Sequence, residues 1–202
     1  MSGAGIQGRN GAAASPLSGI DLASALGVVA IWGLNFVAMK LSLRDFTPFQ
    51  LGAARYALAA FPLVLFVKRP RLPVRWLVYS GLAQGVGQFG LLFTALQTGM
   101  TAALASVVMQ TQVFFTALLG MALLGERIGG PLRMGLGLAA LGLGCFALNY
   151  VGGSGGAATA TGLVLNLGAA AMWAISNIIA RKAQQAHPGF DALQFVAWTC
   201  LV

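Results

Sequence analysis

Acidic side chains are nearly missing from this chain. Asp21, Asp45, Glu126 and Asp191 are the only four among 202 residues, and none lies deep in an apolar segment. That argues against an embedded carboxylate exchanging protons for cationic cargo. Histidine is represented by His187 alone, in a loop, so neither a nucleophile–base pair nor a set of metal ligands can be assembled, and an enzyme is not supported. No G-x-x-x-x-G-K-[ST] loop exists, which excludes a self-contained ATP motor. The two cysteines, Cys145 and Cys200, have neither metal-site nor disulfide spacing. Both sit in apolar segments and are expected to be buried as small apolar groups. No metal or cofactor is implied.

Charge of either sign is scarce. Only 8% of the residues are Asp, Glu, Lys or Arg, against about 25% in a soluble domain, and mean hydropathy is +0.82. From Trp76 to Gly125, and again from Met134 to Ala180, no charged residue or histidine occurs. One bilayer crossing needs about 20 apolar residues, so each run can cross twice with a turn between. The chain reads as an all-α, polytopic membrane protein.

Charges, Gly/Pro breaks and length mark the spans. They fall at 22–39, 48–67, 76–96, 102–124, 132–150 and 162–180, with a seventh beginning near Asp191 and cut at Val202. Residues 1–21 read as a disordered cytoplasmic tail rather than a signal peptide, and residues 151–161 as a Gly-rich periplasmic loop. The net charge of +8 does not imply nucleic acid, because the basic residues occupy short loops beside apolar spans. With the N-terminus in the cytoplasm, that side holds Arg9, Lys68, Arg69, Arg71, Arg75, Arg127, Arg133, Arg181 and Lys182, and the far side only Lys40 and Arg44. This bias predicts the N-in orientation.

The segment Ile31–Arg181 contains an internal echo. Ile31-Trp32-Gly33-Leu34-Asn35 through Lys40 is matched by Met172-Trp173-Ala174-Ile175-Ser176-Asn177 through Arg181, and Phe49 by Phe190 at the same offset. Five spans separate the copies, so they run in opposite directions. Such an inverted-topology repeat is a mark of secondary transporters. It predicts two five-helix halves, ten spans in all, divided here as residues 22–150 and an incomplete second half, 162–202.

Few polar groups remain inside the spans. Arg55 is a cation about two turns into the second. It either snorkels to the outer interface or pairs with a helix C-terminus, or it faces a cavity and takes a substrate carboxylate, and the residues leave these readings open. Trp32 and Asn35 share one helix face; Trp173, Ser176 and Asn177 repeat them. Gln84 and Gln88 share another face, and Gln110 and Gln112 bracket Thr111. These side chains either line a polar cavity or tie helices together. Glu126-Arg127 at the end of the fourth span reads as a structural cap. Small residues four apart, Gly81/Gly85, Gly135/Ala139 and Ala140/Gly144, read as places of close helix approach.

Trp32-Gly33-Leu34-Asn35-Phe36-Val37, Arg55-Tyr56, Gln110 to Thr116 and Leu124-Gly125-Glu126-Arg127, in that order and at those spans, resemble the EamA-type branch of the drug/metabolite transporter superfamily. The likeness runs over residues 22–202 and is strongest to the amino-acid metabolite exporters. It implies a plasma (inner) membrane secondary transporter with ten helices, moving cysteine-pathway compounds such as O-acetylserine and cysteine outward by alternating access. The substrate-binding candidates are then Trp32, Asn35, Arg55, Gln84, Gln88, Gln110, Gln112, Trp173, Ser176 and Asn177. The family's later helices are missing, so the chain is expected to be C-terminally truncated. The partners implied are a small-molecule substrate and the lipid bilayer; a homodimer is allowed. A drug, sugar or nucleotide-sugar carrier of the same superfamily, or a non-transporting membrane scaffold, stands as the alternative.

Overall fold

A computed structural model of the chain describes residues 18–152 and 160–202, without the side chains of 149–152. Every regular element among them is helical: α1 (Gly19–Ser42), α2 (Pro48–Phe66), α3 (Val74–Gly81), a π-helix (Leu82–Gly90), α4 (Leu91–Gln97), α5 (Ala102–Met109), α6 (Gln112–Leu124), α7 (Gly130–Gly152), α8 (Ala160–Ala186) and α9 (Ala192–Thr199). Among the described residues, five stretches are long and apolar enough to cross a membrane: Gly19–Ser42, Pro48–Phe66, Ala102–Leu124, Gly130–Leu148 and Ala160–Ala186. The chain divides into two compact units, Met1–Leu34 and Asn35–Val202.

The described part of the first unit is the start of α1. Its helix begins at Gly19, inside the tail expected to be disordered; the rest of that tail and the Gly-rich stretch 153–159 lie outside the described residues. The cause is a local cap. Ser18 Oγ accepts from the Asp21 backbone N–H at 3.2 Å while Asp21 Oδ2 accepts from the Ser18 N–H at 2.9 Å, a reciprocal box that satisfies two orphan donors. The apolar side chains Leu22, Leu26, Val29, Ile31 and Leu34 are all exposed.

The second unit is organised by α8, which packs against α3, the π-helix, α4, α5 and α6. Small residues make this possible. Ala169, Ala170 and Ala174 are fully buried, and Ala169 and Ala170 share a cluster with Met39, Leu43, Leu92, Phe93, Leu96, Met100, Leu104 and Met109. A Cβ on Gly168 would lie 3.2 Å from Leu91 Cδ1, and one on Gly87 would lie 3.1 Å from Met172 Cβ.

The stretch expected as a third span is helical from Val74 to Gln97 but changes type over Leu82–Gly90. A nine-residue π-helix is uncommon, since the form mostly appears as single-turn bulges. Gly85, Gly87 and Gly90 let neighbours approach it closely: Tyr56 lies 3.6 Å from a Cβ on Gly85, and Phe49 3.7 Å from one on Gly90. The fourth segment also breaks. Gln110 and Thr111 N–H bond to Val107 and Val108 carbonyls, and Thr111 Oγ1 donates to the Val108 carbonyl at 2.7 Å. These i→i−3 bonds tighten the backbone and separate α5 from α6.

Three packing expectations need revision. Gly81 and Gly85 do sit against other chain segments, but among the described residues nothing lies within 4 Å of where a Cβ would be on Gly135 or Gly144 of α7. Cys145 on α7 is exposed, and Cys200 is half-buried. An apolar helix in a bilayer can turn its small residues and thiols to lipid as readily as to protein.

Candidate functional site

Arg55 lies mid-α2, and two side chains from other helices hold its guanidinium. Arg55 Nη1 donates to Asn35 Oδ1 of α1 at 2.8 Å. Its Cζ stands 4.6 Å from the centroid of the Phe89 ring on the π-helix. Tyr56 meets Phe89 edge-on at 5.8 Å. A charge at mid-bilayer costs about 2.5–3.5 kcal/mol on insertion scales. A desolvated cation–π contact returns about 2 kcal/mol and a charged hydrogen bond about 1.5–3 kcal/mol, so the two together offset the cost without neutralising the charge. Among the described residues no carboxylate forms an ion pair with Arg55; the pair present is Arg181–Glu126.

A groove of about 860 Å3 opens beside this cluster. Apolar residues of α2 and the π-helix line it, with Tyr56, Thr199 and Cys200 as the polar groups. The Tyr56 hydroxyl and Thr199 Oγ1 are buried with no hydrogen-bond partner among the described residues. Unpaired buried hydroxyls are costly.

The other candidates form a second group around α8. Ser176 Oγ donates to Gln84 Oε1 at 3.4 Å and lies 3.5 Å from Ser80 Oγ of α3. Asn177 Nδ2 donates to Gln112 Oε1 of α6 at 3.5 Å, and Thr116 Oγ1 donates to the same oxygen at 3.2 Å. Two consecutive α8 side chains thus reach two different helices. Gln88 is buried with its Oε1 unpartnered among the described residues. Gln110 is exposed at the α5–α6 break, Trp173 is half-buried against the main cluster, and Trp32 is 51% exposed on the first unit.

The family profile of EamA-like transporters matches residues 19–148. The chain belongs to the EamA-like transporter family. Among curated relatives, it is 39% identical over 178 residues to a "Probable amino-acid metabolite efflux pump" of Salmonella typhimurium, and equally to one of Escherichia coli, covering 88% of this chain and 59% of each relative. It is 28% identical over 187 residues to the "Uncharacterized transporter YoaV" of Bacillus subtilis, covering 86% of this chain and 60% of that one. The EamA chain therefore spans about three-fifths of the length of the relatives it matches. No solved structure matches it.

The EamA chain holds three further residues in contact with these helices that sequence reasoning passed over. Phe89 carries no polar signal, and its role comes from standing beneath Arg55. Ser80 became visible only as the neighbour of Ser176. Asn166 is fully buried on α8 and donates to the Ala105 carbonyl at 3.0 Å; an Asn within a charge-free run was the available clue.

Glu126 does not pair with Arg127, its neighbour in the expected cap. Gly125 adopts φ +65°, which turns the chain so that the Glu126 N–H bonds to the Gly120 carbonyl at 3.2 Å, a helix stop that favours glycine. The Glu126 carboxylate then reaches Arg181 of α8 at 2.9 Å. It rests on Gly120, where a Cβ would come within 2.7 Å of Oε2. Both partners are nearly half exposed, so the pair contributes at most about 1 kcal/mol. Gly120→Ala is expected to displace the carboxylate and to cost about as much as Glu126→Ala. The double variant should be no worse than either single one in a denaturation series. Additive losses would show that Gly120 does not seat the pair.

Proposed function

We propose that this EamA protein is a secondary-active exporter of small amino-acid-type metabolites, with cysteine-pathway compounds such as O-acetylserine and cysteine as the leading cargo. The observation that carries this reading is Arg55: a cation inside a span, positioned by Asn35 and Phe89, with no carboxylate partner among the described residues. A substrate carboxylate would complete it, bidentately if both guanidinium nitrogens engage. Tyr56 and Thr199, whose hydroxyls lack partners among the described residues, would take up further polar groups. The names of the two 39% identical relatives support the same substrate class.

In this reading, Gln84, Gln88, Gln110, Gln112, Ser176 and Asn177 orient substrate, and Trp173 walls the site. Transport proceeds by alternating access between two inverted five-helix halves, and a homodimer is compatible with it. The bonds Ser176–Gln84 and Asn177–Gln112 would then be exchanged between states. The test is export: cells expressing the protein should release these metabolites and resist their toxic accumulation. Release no faster than from cells lacking it would overturn the proposal.

The location proposed is the plasma (inner) membrane with the N-terminus in the cytoplasm, supported by nine basic residues against two on opposite sides. Reporter fusions after Arg71 and Ser154 are expected to report opposite compartments, Arg71 cytoplasmic. The same compartment for both would show that the assignment of spans between them is wrong.

A further inference from the structure

The turn between α2 and α3 presents four cations. Lys68, Arg69, Arg71 and Arg75 are all exposed, and no carboxylate pairs with any of them among the described residues. Glu126 is instead engaged with Arg181, and Asp191 accepts from the Leu193 N–H at 2.6 Å. Orientation in the membrane requires only that basic residues be present in such a loop. It does not require that they be held in place, and here they are.

Leu72 is buried with Leu77, Ala183 and Phe195 in a cluster of its own. Pro70 is buried as well, its carbonyl accepting from the Leu72 N–H at 2.9 Å. The Val67 carbonyl accepts from the Trp198 indole N–H at 3.0 Å. Arg75 stands 5.9 Å over the Trp76 ring. Pro70, the buried Leu72 and the Val67–Trp198 hydrogen bond therefore fix the backbone from which the cations project.

The flanking residues set the depth of the loop. Leu65 and Phe66, just before it, are 70% and 86% exposed, and Val74 and Tyr79, just after it, are 50% and 55% exposed. At the end of α2, which is long and apolar enough to cross a membrane, such exposure suits hydrocarbon contact, and a ring such as Tyr79 suits the interface belt. A bilayer covering these side chains would bring its headgroups to the level of the basic loop.

We propose that residues 67–75 form a binding site for anionic phospholipid headgroups, with the phosphodiester received among Lys68, Arg69, Arg71 and Arg75. Clustered basic residues beside a span attract anionic lipid, and guanidinium groups match phosphate oxygens. The site needs only that the chain spans the bilayer, so it stands or falls independently of any cargo.

The experiment uses the full chain purified in detergent and titrated with phosphatidylglycerol or phosphatidylcholine, with bound lipid counted by native mass spectrometry. Phosphatidylglycerol is expected to bind at least tenfold more tightly than phosphatidylcholine. The variant Lys68→Gln/Arg69→Gln/Arg71→Gln should lose that preference, and Arg71→Gln alone should weaken it several-fold. Arg127→Gln/Arg133→Gln, which removes exposed charge elsewhere, should keep it. Excess inorganic phosphate should not displace the lipid. Equal binding of the two lipids, a preference that survives the triple variant, or equal loss in the Arg127/Arg133 control would each overturn the site. Displacement by inorganic phosphate would overturn it too, in favour of a free-anion site. Circular dichroism of the variants, whose changed side chains are exposed, separates lost binding from lost fold; should the triple variant fail to fold, the Arg71→Gln result decides.

Discussion

Arg55→Ala is expected to reduce export at least a hundredfold while leaving the amount of protein in the membrane unchanged. Two effects set this expectation. Removing an embedded cation lowers the cost of inserting α2, so insertion does not suffer. The hydrogen bond to Asn35 and the ring contact with Phe89 mainly serve to retain the charge, so the helix loses little when both go with it. What disappears is the cation itself, which has no carboxylate partner among the described residues. A lost charged pair in a desolvated site costs roughly 3–5 kcal/mol, which corresponds to more than about a hundredfold at roughly 1.4 kcal/mol per factor of ten. Arg55→Lys should retain partial activity, since the ammonium keeps the charge but lacks the planar fork. It also loses the geometry by which Nη1 reaches Asn35 while the plane covers Phe89. Efflux of labelled metabolite from loaded cells, normalised to membrane content, measures all of this. Wild-type efflux by Arg55→Ala would remove the substrate-carboxylate role.

The sequence made some of these features legible because they contradict their surroundings. A lone arginine, an asparagine or a glutamine stands out in hydrocarbon, where every polar group needs a partner. Asn35, Arg55, Ser176 and Asn177 could thus be picked out, and each has a partner in the structure. Their pairing was not legible. Asn35 and Arg55 are 20 residues apart, Asn177 and Gln112 are 65 apart, and Arg181 and Glu126 are 55 apart. No local rule connects them. The π-helix was hidden for a different reason: α- and π-periods place Gln84 and Gln88 on nearly the same face, and glycine suits either form poorly. Cys145 illustrates a third reason. When both lipid and protein neighbours are apolar, amphipathic periodicity fades, and the sequence does not say which side of α7 turns outward.

The same fading makes α8 informative, since its inner face is marked by small side chains, with Asn166 and Ser176 among them. Ala169, Ala170 and Ala174 are fully buried, while Val164 on the same helix is 69% exposed. Ala170→Leu is therefore expected to be among the most damaging apolar substitutions in the chain. The added carbons enter a cluster containing Leu92, Phe93 and Leu96 of α4 and Met109 of α5. The α4–α8 approach has no slack to receive them: Gly168 already brings Leu91 Cδ1 to 3.2 Å of a Cβ position. Overpacking a core costs about 1–3 kcal/mol or more, and here α8 also carries Ser176 and Asn177, so a displaced helix breaks their bonds to Gln84 and Gln112. Both stability and export should fall. Val164→Leu, the same kind of enlargement on an exposed position, should change stability by less than about 0.5 kcal/mol. Unfolding in a graded sodium dodecyl sulfate series, followed by far-ultraviolet circular dichroism, compares the two. Equal midpoints for Ala170→Leu and Val164→Leu would mean that α8 does not pack along its alanine face, and the placement of Ser176 and Asn177 would fall with it.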